Sequence, residues 1–265
     1  MSEITDISLL SLVLGYSVLL IPLAGLWYFR TGLLKDSLIG IFRMTLQLVF
    51  VALYLEFVFD LNDAWLNSLW LVGMIVVGVF TTIKRSGLNR KFFLLPLFTS
   101  GLISIVIIDL FFLGVIVRLD YFFDARYFIP ISGMILGNSL NHNIVGMNAY
   151  FDGLVKNRDL YQFLLVNRNS QAIALAPFIR DALRKGLNPM IATMSVMGLI
   201  SLPGMMTGQI LGGSSPAIAI KYQIMIMLAI FTGCSLNLML TILFSNRFAF
   251  DSYGSFRDGI MKSNK

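Results

Sequence analysis

Seven long apolar runs, closed off by charged residues except where Gly212-Gly-Ser-Ser-Pro216 parts the last two, govern what this chain can fold into. They lie at about Ile7–Tyr28, Ser37–Phe59, Trp65–Ile83, Phe92–Val117, Tyr127–Tyr150, Pro189–Leu211 and Ala217–Phe244. An α-helix needs about 20 apolar residues to cross a bilayer, and every run reaches that scale. Apolar residues make up 57% of the 265 positions and charged residues only 13%, whereas a soluble domain carries about 45–50% and about 25%. Disorder, a disulfide scaffold and an ordinary soluble enzyme are excluded. The sequence predicts an all-α, polytopic membrane protein of about seven transmembrane helices.

Orientation follows from where Lys and Arg fall. Alternate loops place sixteen of them, among them Lys84, Arg85, Arg90, Lys91, Arg180, Arg184 and Lys185, on one side. The other side has only Arg118 and Arg126. The expected topology has the N-terminus outside and the C-terminus in the cytosol. The early residues Glu3 and Asp6, with no Lys or Arg beside them, are the wrong charge for a signal peptide, so the first run is expected to remain as a span. Residues 1–265 then form one membrane domain: spans one to five over 1–150, a cytosolic segment over 151–188, spans six and seven over 189–244, and a cytosolic tail over 245–265. A basic surplus confined to one face of a membrane protein speaks for lipid and protein partners, with no nucleic acid.

The 151–188 segment is too long for a turn and too polar for lipid. Its second half, Asn169–Asn188, reads as an amphipathic helix ended by Pro189, with Leu175, Phe178, Ile179 and Ala182 at helical spacing and Arg180, Asp181, Arg184 and Lys185 opposite. Such a helix can lie on the membrane or offer a face to a cytosolic partner, and the pattern does not choose.

Ionisable groups inside spans are costly and mark candidate sites. Arg43, Glu56 and Lys221 lie close enough to span ends to reach the interface. Asp109 lies deep in the fourth run if that run is one straight helix, or marks the outer end of a shorter one. In the fifth run Gly133 and Gly137 permit close helix approach, Asn138 brings hydrogen-bonding capacity, and His142, the single histidine, is expected to make an ordinary polar contact. In the sixth, Pro203 interrupts the helix and Gly204, Gly208 and Gly212 form a ridge of small residues. Breaks of this kind often line transport pathways. Met205 and Met206 have the chemistry of soft metal ligands, though methionine more commonly fills apolar gaps. Cys234 is the only cysteine, so no intrachain disulfide or thiol cluster can form. No Gly-x-x-x-x-Gly-Lys-Ser/Thr phosphate loop, His-Glu-x-x-His or nucleophile elbow occurs, and enzymatic activity is not expected.

Three blocks carry a resemblance: Ile129-Pro-Ile-Ser-Gly-Met-Ile-Leu-Gly-Asn138, Ile179-Arg-Asp-Ala-Leu-Arg184, and Gly198-Leu-Ile-Ser-Leu-Pro-Gly-Met-Met-Thr-Gly-Gln-Ile-Leu-Gly212 continuing through Ala219-Ile-Lys-Tyr-Gln-Ile224. With Arg43 and Gln47-Leu48, the chain resembles the FetB-type iron-export ABC permeases and is similar to plant aluminium-tolerance half-transporters. One departure is Val166-Asn167, where a small Leu-Gly-Ala type turn is usual. The resemblance implies a multi-pass permease of the bacterial inner membrane, paired as a homodimer with a separate ATPase subunit that binds the ATP. This chain would carry no cofactor.

On that basis the coupling candidates are Phe178, Ile179, Arg180, Asp181 and Arg184. The transport-pathway candidates are Asp109, Asn138, Pro203, Met205, Met206 and Gln209. Iron or another metal ion is the expected cargo, with oxygen donors suiting a hard cation and Met205 and Met206 a soft one. A non-metal cargo such as a sugar nucleotide is the alternative. A seven-helix retinal protein with Lys221 as Schiff base is more remote, since Lys221 is near a span end and the third run has no counter-ion carboxylate.

Overall fold

The computed structural model describes residues 8–168, 170–251, 253–257 and 259–261. Glu3, Asp6, Asn169, Asp258, Lys262 and Lys265, which bear on the reading of charge and helix ends, lie outside them. The described chain is helical throughout: α1 (Leu9–Tyr16), joined by a 3-10 turn (Ser17–Leu19) to α2 (Leu20–Tyr28), then α3 (Leu34–Leu61), α4 (Ala64–Arg85), α5 (Arg90–Asp109), α6 (Ala125–Lys156), α7 (Arg158–Arg168), α8 (Gln171–Val196), α9 (Gly204–Leu211) and α10 (Pro216–Ala249). Among the described residues, five stretches are long and apolar enough to cross a membrane: Leu9–Tyr28, Leu34–Leu61, Ala64–Arg85, Arg90–Val117 and Pro216–Ala249. The protein is an all-α polytopic membrane protein.

Short polar side chains set the helix boundaries. The Asp63 carboxylate accepts from the backbone N–H groups of Trp65 and Leu66 at 2.9 and 3.0 Å and opens α4. Asn89 and Asp124 cap α5 and α6 in the same way. Asn62 ends α3 in the left-handed conformation (φ 41°). Its side-chain carbonyl accepts from the Ala125 N–H at 2.8 Å, tying the α3–α4 turn to the start of α6. At the opposite, basic end, the tail folds back: the Asn89 N–H donates to the Ile260 carbonyl at 2.9 Å, and Phe250 and Ile260 are buried. The expected tail therefore begins inside α10 and is anchored to the bundle.

Helix α6 is the axis, surrounded by α4, α5, α8 and α10. Its pairings with α10 (Ile135 with Gly233, Asn143 with Asn237, Tyr150 with Asn246) show that the two run parallel. Three glycines allow this packing. A Cβ at Gly186 of α8 would lie 2.7 Å from Leu238 Cδ2 and 3.2 Å from the His142 carbonyl oxygen. One at Gly146 would lie 2.6 Å from Leu238 Cδ1, and one at Gly233 2.7 Å from Ile135 Cγ2. By contrast α1, α2 and α3 touch the rest lightly, and Val58 is the one buried residue of α3. Tyr54 stacks on Trp70 with ring centroids 4.2 Å apart.

Two expectations need correction. Helix α8 does not stop at Pro189 but runs through Pro177 and Pro189 to Val196. Both prolines sit on its exposed face, while Phe178, Ala182, Gly186, Leu187 and Met190 are buried; this packing offsets the backbone hydrogen bonds the prolines remove. Nor is Pro189–Leu211 a single helix with a kink at Pro203. The chain leaves α8 at Met197, turns at Gly198 (φ 85°, a left-handed conformation suited to glycine), and restarts at α9 with Pro203 in extended conformation just before it. The break is seven residues long, not a point.

Candidate functional site

Helix breaks at bilayer depth persist only where protein or a water-filled cavity satisfies the freed backbone groups. Here the segment between α8 and α9 borders a cavity of about 440 Å³ closed on its far side by α10, with Met194, Met197, Pro203, Met206, Gln223 and Met227 in its wall. Gln223 is 7% exposed, and its Oε1 finds no hydrogen-bond partner among the described residues. Among those residues no acidic or basic side chain lines the space. Of the pathway candidates named from the sequence, this cavity brings together Pro203 and Met206. Met205 packs against the hydrophobic core instead, and Gln209 is partly buried on α9.

A second polar zone runs along α5, α6 and α10. The Ser100 and Thr241 hydroxyls are 2.6 Å apart, Thr241 donates to Asn237 Oδ1 at 3.1 Å, and Asn143 Nδ2 donates to the same oxygen at 3.1 Å. Tyr150 donates to Asn246 at 2.7 Å further toward the basic end. Asn143 Oδ1 is left without a partner among the described residues. A void of about 20 Å³ beside Asn143, Thr82, Ser139 and Asn237 is large enough for one water. Sequence reasoning missed Asn237, Thr241 and Gln223. The signal for Asn237 and Thr241 was available in the recurrence of polar residues every three to four positions along the later part of an otherwise apolar run, at Cys234, Asn237, Thr241 and Ser245, a series that Gln223 stands outside.

Asp109 is 1% exposed: it is buried within the bundle at the point where α5 ends. The helix continues as a π-helical turn, Leu110–Val117, a form often found at functional positions. Ser132 donates to Asp109 Oδ2 at 2.6 Å, and Asp109 Oδ1 has no partner among the described residues. Asn138 is exposed and donates to the Met134 carbonyl at 2.8 Å. Asp109, Asn138 and Gln209 thus occupy three separate surroundings. Among the described residues no three His, Cys, Asp or Glu side chains gather as a metal centre. His142 meets the Gly186 carbonyl at 2.6 Å through Nδ1, the ordinary polar contact expected of it. Arg43, Glu56 and Lys221 are exposed.

The coupling candidates divide by face. Phe178 is buried against Tyr161 and Gly153 of its own chain, which corrects its reading as a docking residue: an apolar helix face was legible, but it is spent inside the bundle. Ile179 is half-buried against the core. Arg180 and Arg184 are exposed, and Asp181 pairs with Lys185 at 2.8 Å. The outward apolar residues here include Leu160, Phe163 and Val166 of α7 and Ile173 at the start of α8. The glycine ridge is likewise unfilled within the described chain. Nothing lies within 4 Å of a Cβ at Gly137, Gly204 or Gly208, Gly133 approaches only Met74 Sδ at 3.9 Å, and Gly212 meets only carbonyls of its own turn.

Known proteins are similar to this chain over most of its length. The chain is 30% identical over 224 residues to the probable iron export permease protein FetB of Escherichia coli, covering 84% of this chain and 85% of that one. It is 31% identical over 193 residues to protein ALUMINUM SENSITIVE 3 of Arabidopsis thaliana, covering 72% and 69%. A membrane protein of Synechocystis is 33% identical over 188 residues, 71% and 73% of the two chains. No solved structure matches the chain. The model of the uncharacterised protein family UPF0014 matches residues 9–250, and the chain belongs to that family.

Proposed function

We propose that the protein is the membrane permease of an ABC transporter, moving a metal ion outward with energy from a separate ATPase subunit. The observation that carries this reading is the break between α8 and α9 beside a cavity in a membrane-embedded helical bundle. Discontinuous helices of this kind form substrate sites in transporters because they free backbone groups at membrane depth. Iron is the first cargo to test, because the bacterial relative is named as an iron export permease. The chain carries no phosphate loop, which supports an ATP-binding partner. The lightly packed α1–α3 and the unfilled Gly133, Gly137, Gly204 and Gly208 surfaces support a permease homodimer, in which a second copy or lipid covers them.

In this reading residues 1–265 form one permease domain of the bacterial inner membrane, N-terminus outside. α6 and the α8–α9 pair supply the two crossings beyond the five most apolar ones. The ATPase docks on the basic end, where Phe163, Val166 and Ile173 are exposed beside Arg180 and Arg184. Closure of the ATPase pair moves α7 and α8, and α8 transmits the motion to the break it leads into. Asp109, buried beside the π-helical turn, is the pathway residue to test for cation passage.

The deciding experiment is ATP-driven uptake of radiolabelled iron into inverted vesicles holding the permease and an ATPase subunit from the same genome. Uptake above that of vesicles lacking the permease is expected. Vigorous ATP hydrolysis without uptake would remove iron as direct cargo.

A further inference from the structure

We propose that the cavity between the α8–α9 break and α10 is a binding site for a soft, singly charged metal cation such as Cu(I) or Ag(I). The inference refines the cargo class of the proposed permease and rests on that reading for its role in transport, but the site itself stands on the cavity.

Met194, Met197, Met206 and Met227 all line one open-sided space of about 440 Å³, and they come to it from three different parts of the fold: α8 with the break, α9, and α10. A methionine filling a gap normally ends against neighbouring side chains; these four border one shared space, and their thioethers are the donors it offers. Thioethers are polarisable, neutral ligands that select soft cations. A fifth donor is present: Gln223 Oε1 is an amide oxygen that is buried yet unpartnered among the described residues. Such an orphan acceptor is costly at this depth, and a bound cation would satisfy it.

The charge of the site narrows the ion further. Met194, Met197, Met206, Met227 and Gln223 are all neutral, and among the described residues no carboxylate, imidazole or thiol lines the cavity. A doubly charged ion stripped of water needs anionic partners, because desolvation cost grows steeply with charge. A singly charged soft ion loses less hydration and gains polarisable sulfur. The hard-donor groups Asp109 and Asn138 lie outside this cavity. Met206 was visible in the sequence as a soft-ligand candidate, but its companions are brought in by the helix break and by α10 rather than by the adjacent Met205.

The test is silver binding to the purified full-length chain in detergent, by titration calorimetry with silver nitrate in chloride-free buffer. A Cys234→Ala background removes the only thiol. About one strong silver site per chain is expected. The Met194→Leu/Met206→Leu/Met227→Leu triple variant keeps apolar volume while removing sulfur, and its silver affinity should fall by at least about tenfold. Helical circular dichroism and gel filtration verify that it folds. Met205→Leu should leave affinity unchanged. Absence of silver binding, or unchanged affinity in the folded triple variant, overturns the site, as does Fe(II) binding of equal strength lost in the same variant. Silver binding with no ATP-driven uptake of any metal into inverted vesicles overturns the permease reading and leaves the site standing. Uptake without silver binding does the reverse.

Discussion

The Ser132 hydroxyl oxygen lies 2.6 Å from Asp109 Oδ2 and 2.7 Å from the Phe128 carbonyl oxygen. A hydroxyl has one hydrogen and cannot donate fully to both acceptors. An amide at position 109 would supply a second donor in nearly the same shape. Asp109→Asn is therefore expected to unfold at the wild-type temperature or above it. Ser132→Ala, which leaves Asp109 without its partner, should cost about 1–3 kcal/mol. Thermal unfolding in detergent checks both, and equal destabilisation by the two changes would contradict the hydrogen-bond assignment.

At the crossing of α6, α8 and α10, Gly186→Ala is predicted to destabilise by about 1–3 kcal/mol through overpacking, because its Cβ would meet the fully buried Leu238 and the His142 backbone. Gly137→Ala and Gly204→Ala face open space within the described chain and should leave monomer stability unchanged. Leu238→Ala leaves a cavity of its own, but the Gly186→Ala/Leu238→Ala protein should be less destabilised than the sum of the two single changes, measured as a double-mutant cycle.

Val166→Asp and Phe163→Asp alter side chains that are 81% and 63% exposed. The folded permease should survive, and co-purification with the ATPase should be lost. Phe178→Asp places a charge in the buried α7–α8 contact and should lower the yield of folded protein first. If pulldown persists with both α7 variants, the docking surface lies elsewhere.

Tyr161 donates to the Gly254 carbonyl at 2.6 Å and holds the tail against α7. Tyr161→Phe removes that bond at a cost of about 1 kcal/mol, and faster proteolysis after Ala249 is the expected readout. An unchanged cleavage rate would mean that buried Phe250 and Ile260 suffice to anchor the tail.

Topology is open to a labelling test. Cys234 is 0% exposed and should not react with a maleimide. Ser214→Cys, in the exposed turn between α9 and α10, should label in intact cells with an impermeant reagent. Arg184→Cys should label only after permeabilisation. The opposite pattern would invert the proposed orientation.

Much of the fold was legible because lipid imposes simple demands. The runs ending at Tyr28, Phe59, Ile83 and Val117 became helices within a few residues of their expected ends, since an unbroken apolar stretch in a bilayer must satisfy its backbone as helix. The 171–196 region misled because proline is read locally as a stop. Pro177 and Pro189 are tolerated there by tertiary contacts on the other face of α8. Phe178 misled for a related reason: periodicity reveals an apolar face but not what covers it.

The sequence by itself determined that this is a helical membrane protein, which of its faces is basic, and that Met206 and Asp109 were worth attention. Those properties follow from composition and spacing along one dimension. Tertiary structure alone decided that Gly146, Gly186 and Gly233 pack the helices while, among the described residues, Gly137, Gly204 and Gly208 stay open, that Asp109 meets Ser132, and that Met206 shares a cavity with Met194, Met197, Met227 and a Gln223 whose Oε1 has no partner among those residues. The physical reason is distance along the chain. Met194 and Met227 are 33 positions apart in sequence, and a helix break followed by a reversal at α10 brings them to one cavity.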